Sequence, residues 1–249
     1  VLPKGSLEKA SFQLFEDADL AVRRTSDVDY RASVDDPRIA DVRILRPQEI
    51  PAYVEDGLFD LGIAGRDWIE ETSSDVVSLG ELKYSKVTAK PVKIVVAVPA
   101  DSQYEVLSDL PQGVRVSSEY PELTNRHFAA AGVEADVRLS YGATEAKAPE
   151  IVDAVVDLTE TGSALRAAGL KIIDEILTSY TEIFANRESY EDPKKRKAME
   201  QIKTLLDGVL DARGRVLMKL NVSASDLDQV INVLPSMKAP TVNELWGGG

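Results

Sequence analysis

The chain has 249 residues, 44% hydrophobic and 29% charged, a make-up that suits a folded protein of one to three domains with a sizeable core and excludes a disordered chain. Its formal charge of −13 removes the long-range attraction by which basic proteins gather nucleic acid or anionic membrane, so neither partner is expected and an anionic ligand needs a local cationic pocket. With no cysteine there is no disulfide or thiolate metal site; with no apolar run near ~20 residues and no signal-like start, the chain reads as cytoplasmic.

In chain order, a helical pattern runs over 5–17, then VRIL at 42–45 reads as a strand and 47–56 as a helix. DLGIA at 60–64 is a strand, 66–71 a helix, and VKIVVAV at 92–98 and VRV at 114–116 are strands. A helix over 121–131, the strand DAVVDL at 153–158 and a helix over 162–168 follow. Short β-branched runs alternating with helices predict an α/β class, with parallel sheets covered on both faces.

Asp192 as cap, Pro193 at the first position, and Met199, Ile202, Leu205, Leu206, Val209 and Leu210 on one face predict the longest helix, over 192–213. Its PKKRK reads as a solvated first turn rather than a nucleic-acid patch, because the chain is so acidic. Beyond Arg213, RVLMKLNV predicts a strand. A helix starting near Ser223 or Ser225 follows, with Leu227, Val230, Ile231 and Leu234 inward and Pro235 behind it, as in the opening of a small α+β module.

The most informative stretch is DLTETGSALR, Asp157 to Arg166, where an apolar run delivers the chain into Thr-Gly-Ser and straight into a helical pattern. Unpaired N–H groups at a helix start point outward, Gly162 permits close approach of an anion, and the hydroxyls of Thr161 and Ser163 add donors, which outlines a phosphate cradle. Asp157, at the strand end, is placed to hold sugar hydroxyls beside that phosphate. The same tripeptide also serves as an ordinary helix cap, and the motif alone does not separate the two.

Six ordered blocks surround it: LPKGSL at 2–7, EIPAYVEDGLFDLGIAGRD at 49–67, VAVP at 96–99, RVSSEYPELTNRHF at 115–128, YGATEAKAPEIVDAVVDLTETGSALRAAGL at 141–170 and APTVNEL at 239–245. In this order they resemble the long form of the ATP phosphoribosyltransferase family, the first enzymes of histidine biosynthesis, nearly end to end. The wording departs at Ser6, where Arg is frequent, at Lys147, which interrupts the usual Glu-x-Ala-Pro, and at Ala168, where Asn is usual.

The resemblance implies a two-lobed core similar to periplasmic binding proteins, with residues 1–94 plus 179–212 as one lobe, 95–178 as the other, and the active site in the cleft between them. Residues 213–249 would begin a ferredoxin-like regulatory domain that binds histidine as feedback inhibitor and helps to build a homo-oligomer, from dimer to hexamer. The substrates would be ATP and 5-phosphoribosyl-1-pyrophosphate, with Mg2+ arriving on the pyrophosphate and no dedicated protein metal site. N1 of the adenine would displace pyrophosphate from C1 of the sugar, a reaction that rests on alignment and electrostatics.

On that footing Thr161, Gly162, Ser163, Ala164 and Leu165 cradle the 5-phosphate, and Asp157 takes the ribose hydroxyls. A helix dipole supplies only ~0.3–2 kcal/mol toward an anion, so Lys4 and Arg46 are the candidate cations and, with Asp157, the catalytic set. Glu145 and Glu160 are candidates for the sugar or pyrophosphate side, and Gly5, Asp67 and Tyr120 for ATP, Tyr120 bordering the adenine and Asp67 meeting its edge. His127, the single imidazole, is assigned a structural rather than a general-base role, since it lies within the helical NRHFAAAG. Two other classes share such an architecture: a solute-binding protein that does no chemistry, and a non-catalytic regulatory chain.

Overall fold

The computed structural model describes residues 1–84, 91–234 and 241–244, in two units, 1–211 and 212–249. The first unit begins with β1 (Leu2–Pro3), a 3-10 turn (Gly5–Leu7) and α1 (Glu8–Asp17), whose Leu14 and Phe15 are buried. β2 (Val22–Arg23), β3 (Arg31–Val34) and β4 (Val42–Leu45) follow, then α2 (Ile50–Glu55). They form a four-stranded sheet in the order β1-β4-β3-β2, in which only β1 and β4 are parallel.

β5 (Leu61–Gly65), α3 (Arg66–Thr72) and β6 (Val77–Glu81) complete this part, joined from far along the chain by β12 (Thr181–Ala185), which lies antiparallel between β5 and β6. The amide of Ile63 donates to the carbonyl of Val1, so this three-stranded sheet abuts the first at its β1 edge. Gly62 allows the close approach: a Cβ there would sit 2.8 Å from Val54 and 2.9 Å from Ile50 of α2.

The second sheet has five strands in the order β11-β7-β10-β8-β9, from β7 (Val92–Pro99), β8 (Val114–Ser118), β9 (Ala135–Leu139), β10 (Ala154–Thr159) and β11 (Leu170–Ser179). β10, β8, β9 and β11 run in one direction; β7 alone, between β10 and β11, runs against them. α4 (Pro121–Ala130) and α5 (Ser163–Ala167) follow β8 and β10. Residues 94–98 of β7 and 154–156 of β10 are buried on both faces, as expected for continuous apolar runs at the centre of a covered sheet.

The expectation of parallel sheets is therefore corrected to mixed ones. Helical crossovers do yield parallel neighbours such as β8 and β9, but β7 runs against both of its neighbours, and β12, which follows β11 without a helix, pairs antiparallel with β5 and β6. Separate apolar clusters fill the two parts: Leu14, Leu20, Ile44, Ile63, Ile183 and Leu206 in one, Ile94, Val96, Val116, Phe128 and Val156 in the other.

α6 (Arg187–Glu191) leads into α7 (Pro193–Ala212), twenty residues long. Asp192 caps it, its carboxylate accepting from the amides of Lys194 and Lys195 at 2.8 and 3.1 Å. Met199, Ile202 and Leu206 are buried and Val209 and Leu210 pack against the same cluster, but Leu205, expected on that face, is exposed. Within PKKRK, Lys195 pairs with Asp60 at the surface.

In the second unit the expected strand over 215–222 is absent from the described residues; Val216, Leu217, Met218 and Leu220 are exposed. A strand needs a partner for its ladder, and no described residue supplies one. α8 (Leu227–Val233) does form, one or more residues later than its expected serine caps, with Asp226 at the cap position. Leu227, Val230, Ile231 and Leu234 are its more shielded positions. Pro235 and residues 239, 240 and 245 of the block at 239–245 lie outside the described residues.

Candidate functional site

A cleft of about 440 Å3 opens within the first unit, lined from both sheet systems: Ser6, Pro47 and Gln48 after β1 and β4, Asp67 and Trp68 on α3, Glu119 and Tyr120 after β8, and Asp157, Leu158 and Glu160 at the end of β10. Several of these stand just beyond the carboxyl ends of parallel strands, where α/β sheets place ligands because side chains there escape the ladder. Among the described residues the lining carries five carboxylates, Asp67, Glu81, Glu119, Asp157 and Glu160, and one cation, Lys83.

One wall is sealed. The hydroxyl of Tyr120 donates to Asp67 Oδ2 at 2.7 Å and that of Ser179 to Oδ1 at 2.7 Å, while the Asp67 amide donates to Ser179 Oγ at 3.0 Å. Gly65 makes room for this carboxylate, since a Cβ at that position would lie 2.0 Å from Asp67 Oδ1. Burial pushes the Asp67 carboxyl up, and the hydrogen bonds from Ser179 and Tyr120 pull it part of the way back. Burial, then the adjacent Asp67 charge, holds the Tyr120 phenol well above its ordinary range. The Trp68 and Tyr120 rings pack with centroids 4.6 Å apart. Behind them the Glu71 carboxylate accepts from the amides of Glu122 and Leu123 at the start of α4, tying α3 to α4.

The opposite wall is open. Asp157 is half-buried and its carboxylate accepts from the Leu158 amide at 2.7 Å. Burial raises its carboxyl, with Glu145 adding repulsion and Lys147 opposing it. Glu145 and Lys147 sit on a 3-10 turn, Thr144–Lys147, beside β10. The Lys147 ammonium donates to Ser140 Oγ at 2.5 Å and to Ser117 Oγ at 3.4 Å.

Beyond Glu160, Thr161, Ser163 and Ala164 are exposed, and Leu165 is buried as the anchor of the loop. Gly162 has φ +72°, and a Cβ there would lie 2.8 Å from the Arg166 guanidinium and 3.2 Å from Ile172. Its amide donates to Thr159 Oγ1 at 2.7 Å, and the Ser163 amide points to Thr161 Oγ1 at 3.4 Å.

Lys4 and Arg46 follow the registered pair Pro3 and Leu45, so the two cations stand side by side at the ends of parallel strands. The Lys4 ammonium lies 4.1 Å from the centre of the Tyr30 ring, Arg46 is exposed, and Gly5 turns the chain with φ +87°. Of the sequence candidates, Asp67, Tyr120, Asp157 and Glu160 line the cleft; Lys4, Gly5, Arg46, Glu145 and the loop 161–165 do not. His127 bonds Asp174 of β11 at 2.8 Å. Trp68, Lys83, Glu119 and Lys147 carried no expectation of a role; Glu119 lies inside a quoted block, next to Tyr120, and that adjacency was its only signal. No group of three or more potential ligands poised to hold a metal ion occurs among the described residues, and no described helix is long and apolar enough to cross a membrane.

Comparison with known proteins supplies what geometry leaves open. Residues 46–208 match the family model described as ATP phosphoribosyltransferase, and residues 212–249 match its C-terminal domain. The ATP phosphoribosyltransferase of Pelotomaculum thermopropionicum is 46% identical over 246 residues, covering 98% of this chain and 83% of that protein. That of Desulforudis audaxviator is 47% identical over 247 residues, covering 98% and 84%. Among solved structures, an ATP phosphoribosyl transferase (HisG:HisZ) complex from Thermotoga maritima superposes with a TM-score of 0.71 at 24% identity, covering 84% of this chain and 96% of that one, a likeness of fold. The α/β fold, the acid-lined cleft at the strand ends and these matches agree that the chain belongs to the ATP phosphoribosyltransferase family.

Proposed function

We propose that this chain joins N1 of the ATP adenine to C1 of 5-phosphoribosyl-1-pyrophosphate, releasing pyrophosphate, in the first step of histidine biosynthesis. The observation that carries this reading is the end of β10, where Asp157, Leu158 and Glu160 line the cleft that also holds Asp67 and Tyr120 and lead directly into the loop 161–165, in a chain of this family. The adenine N1 lone pair forms the new bond as the C1–oxygen bond breaks, and that electron pair leaves on pyrophosphate. No covalent enzyme intermediate is required, so the protein's task is to align the reactants and balance charge.

In this reading Asp157 accepts hydrogen bonds from the ribose hydroxyls, and residues 161–165 hold the 5-phosphate. That requires the Gly162 amide to exchange Thr159 Oγ1 for a phosphate oxygen. Lys4 and Arg46 supply cationic charge, with Glu145 and Glu160 on the sugar and pyrophosphate side. Gly5, Asp67 and Tyr120 border ATP; Asp67 and Tyr120, being bonded to each other, do so mainly by shaping the wall.

The carboxylates of the cleft suit a divalent cation, Mg2+ in our reading, that arrives with the pyrophosphate and supplies positive charge to the leaving group. Glu145 and Glu160 would meet it through water. We assign residues 1–94 with 179–212 and residues 95–178 to two lobes, a division supported by the change of sheet at Tyr180. The 213–249 segment is read as part of a domain that binds histidine as inhibitor, in a cytoplasmic homo-oligomer between dimer and hexamer.

Pyrophosphate release tests the reading. It should require ATP, phosphoribosyl pyrophosphate and Mg2+ together and fall when histidine is added. Tight binding of one solute without pyrophosphate release would contradict it.

A further inference from the structure

Glu119 lies one residue past the last registered pair of β8 and β10, Ser118 with Val156, which places it beside Asp157, and it is followed directly in the chain by Tyr120. It thus stands between the residue read as holding the ribose and the wall read as bordering the adenine, where the new N1–C1 bond would form. Its carboxylate lines the cleft and makes no hydrogen bond to any described residue, unlike Asp67, which is saturated, and Asp157, which takes the Leu158 amide.

The charges facing it come from every neighbouring element: Asp157 on β10, Asp67 on α3, and Glu145 and Lys147 on the 3-10 turn. Burial raises its carboxyl first, Asp157 next, and Lys147 opposes them. Lys147 is fixed in that place by Ser140 and Ser117, so the cluster holds a built-in countercharge.

We propose that Glu119 is a catalytic and specificity-determining residue that accepts a hydrogen bond from the exocyclic amino group of adenine, an inference that rests on the transferase reading above. Adenine carries that amino group next to N1. As N1 bonds to C1, positive charge spreads onto the amino nitrogen, and the bond to a carboxylate becomes charge-assisted, stronger in the transition state than in the ground state. No proton changes hands: the N1–C1 bond forms, the C1–oxygen pair leaves with pyrophosphate, and Glu119 stays ionised. A 6-oxo purine presents a carbonyl oxygen there, which the carboxylate repels, so the residue also selects for 6-amino bases.

The test compares the wild type with Glu119→Gln, using ATP as substrate and ITP as a 6-oxo ligand. Turnover is followed by pyrophosphate release, and binding of each nucleotide without the second substrate by calorimetry. Glu119→Gln should lower kcat with ATP about tenfold to a hundredfold, leave the KM for phosphoribosyl pyrophosphate within about twofold, and tighten ITP binding several-fold, because its amide donates to the 6-oxo group. Thermal melts check that the variant folds, and Glu119→Asp should recover part of the ATP preference.

A loss confined to the KM for phosphoribosyl pyrophosphate, or an unchanged ratio of ATP to ITP binding, would overturn the proposal. Absence of turnover in the wild type would instead overturn the transferase reading, and the nucleotide-binding ratio would still decide the role of Glu119.

Discussion

The two walls of the cleft are built differently. On the Asp67 side the buried polar groups are paired with one another: Tyr120, Ser179 and the Asp67 carboxylate and amide form a closed set, with 4% of Asp67 and 3% of Tyr120 accessible. On the β10 side Thr161, Ser163 and Ala164 are exposed, and two loop amides are held by neighbouring hydroxyls, Gly162 by Thr159 and Ser163 by Thr161. A bonded, buried set resists rearrangement because opening it strands polar groups without water, whereas a loop bonded to its own hydroxyls exchanges them for a phosphate at little cost. The first wall therefore serves as a fixed template and the second as the part that responds to ligand.

The largest effect that would break this contrast is on stability. Asp67→Ala leaves the Tyr120 and Ser179 hydroxyls buried without their acceptor and should cost about 2–4 kcal/mol, read as a lower midpoint in urea unfolding. A loss under 0.5 kcal/mol would mean that the wall is not the rigid template we describe.

Gly162→Val acts on the other wall. A β-branched residue at φ +72°, with its Cβ against Arg166 and Ile172, is strained at a buried position of a short loop. It should raise the KM for phosphoribosyl pyrophosphate about tenfold or more and that for ATP less than about threefold. Unchanged constants for both substrates would remove the loop from the site.

A smaller effect is pH-dependent. The Glu119 carboxyl is raised in the folded protein, so its contribution to stability is complete below its unfolded pKa and is lost as pH rises through the folded value. Glu119→Gln keeps the uncharged form at every pH. Its melting temperature should exceed that of the wild type at pH 8, and the gap should close by pH 4. A gap that widens toward acid would reverse the sign of this electrostatic account.

The smallest stability effect belongs to Lys4→Met, a change at a half-exposed side chain resting on Tyr30. It should move stability by no more than about 1 kcal/mol while weakening substrate binding, seen as a raised KM with an almost unchanged melting temperature.

How much of this was legible in the sequence follows from the same contrast. The strands at 92–98 and 153–158 show themselves as continuous apolar runs buried on both faces, and VRIL at 42–45 as a short β-branched run before the helical pattern of α2. α7 announces itself through Asp192, Pro193 and its apolar stripe, though not through Leu205, whose exposure depends on how far round the helix the neighbouring cluster reaches. β11 and β12 were not legible: the LKIIDEILTS run carries acidic residues and pairs with β7 through shifts of register, so no simple alternation marks it. Residues 215–222 look like a strand by composition, yet pairing is not a property of the segment alone.

In the site, Asp157 and the loop were readable because glycine, hydroxyls and a helix start lie together in the chain. The Asp67–Tyr120–Ser179 set joins residues 53 and 112 positions apart, and only the folded structure brings it together. The companionship of Glu119 with Asp157 and Lys147 is likewise a product of β8 lying beside β10.

The most direct test of the central claim is mass spectrometry of the product formed from ATP, phosphoribosyl pyrophosphate and Mg2+ with the purified chain. The account predicts a single adduct carrying one phosphoribosyl group on the adenine ring of ATP, linked through N1, in equal amount to the pyrophosphate released. Intact ATP after prolonged incubation, or a phosphoribosyl group attached anywhere other than N1, would contradict it.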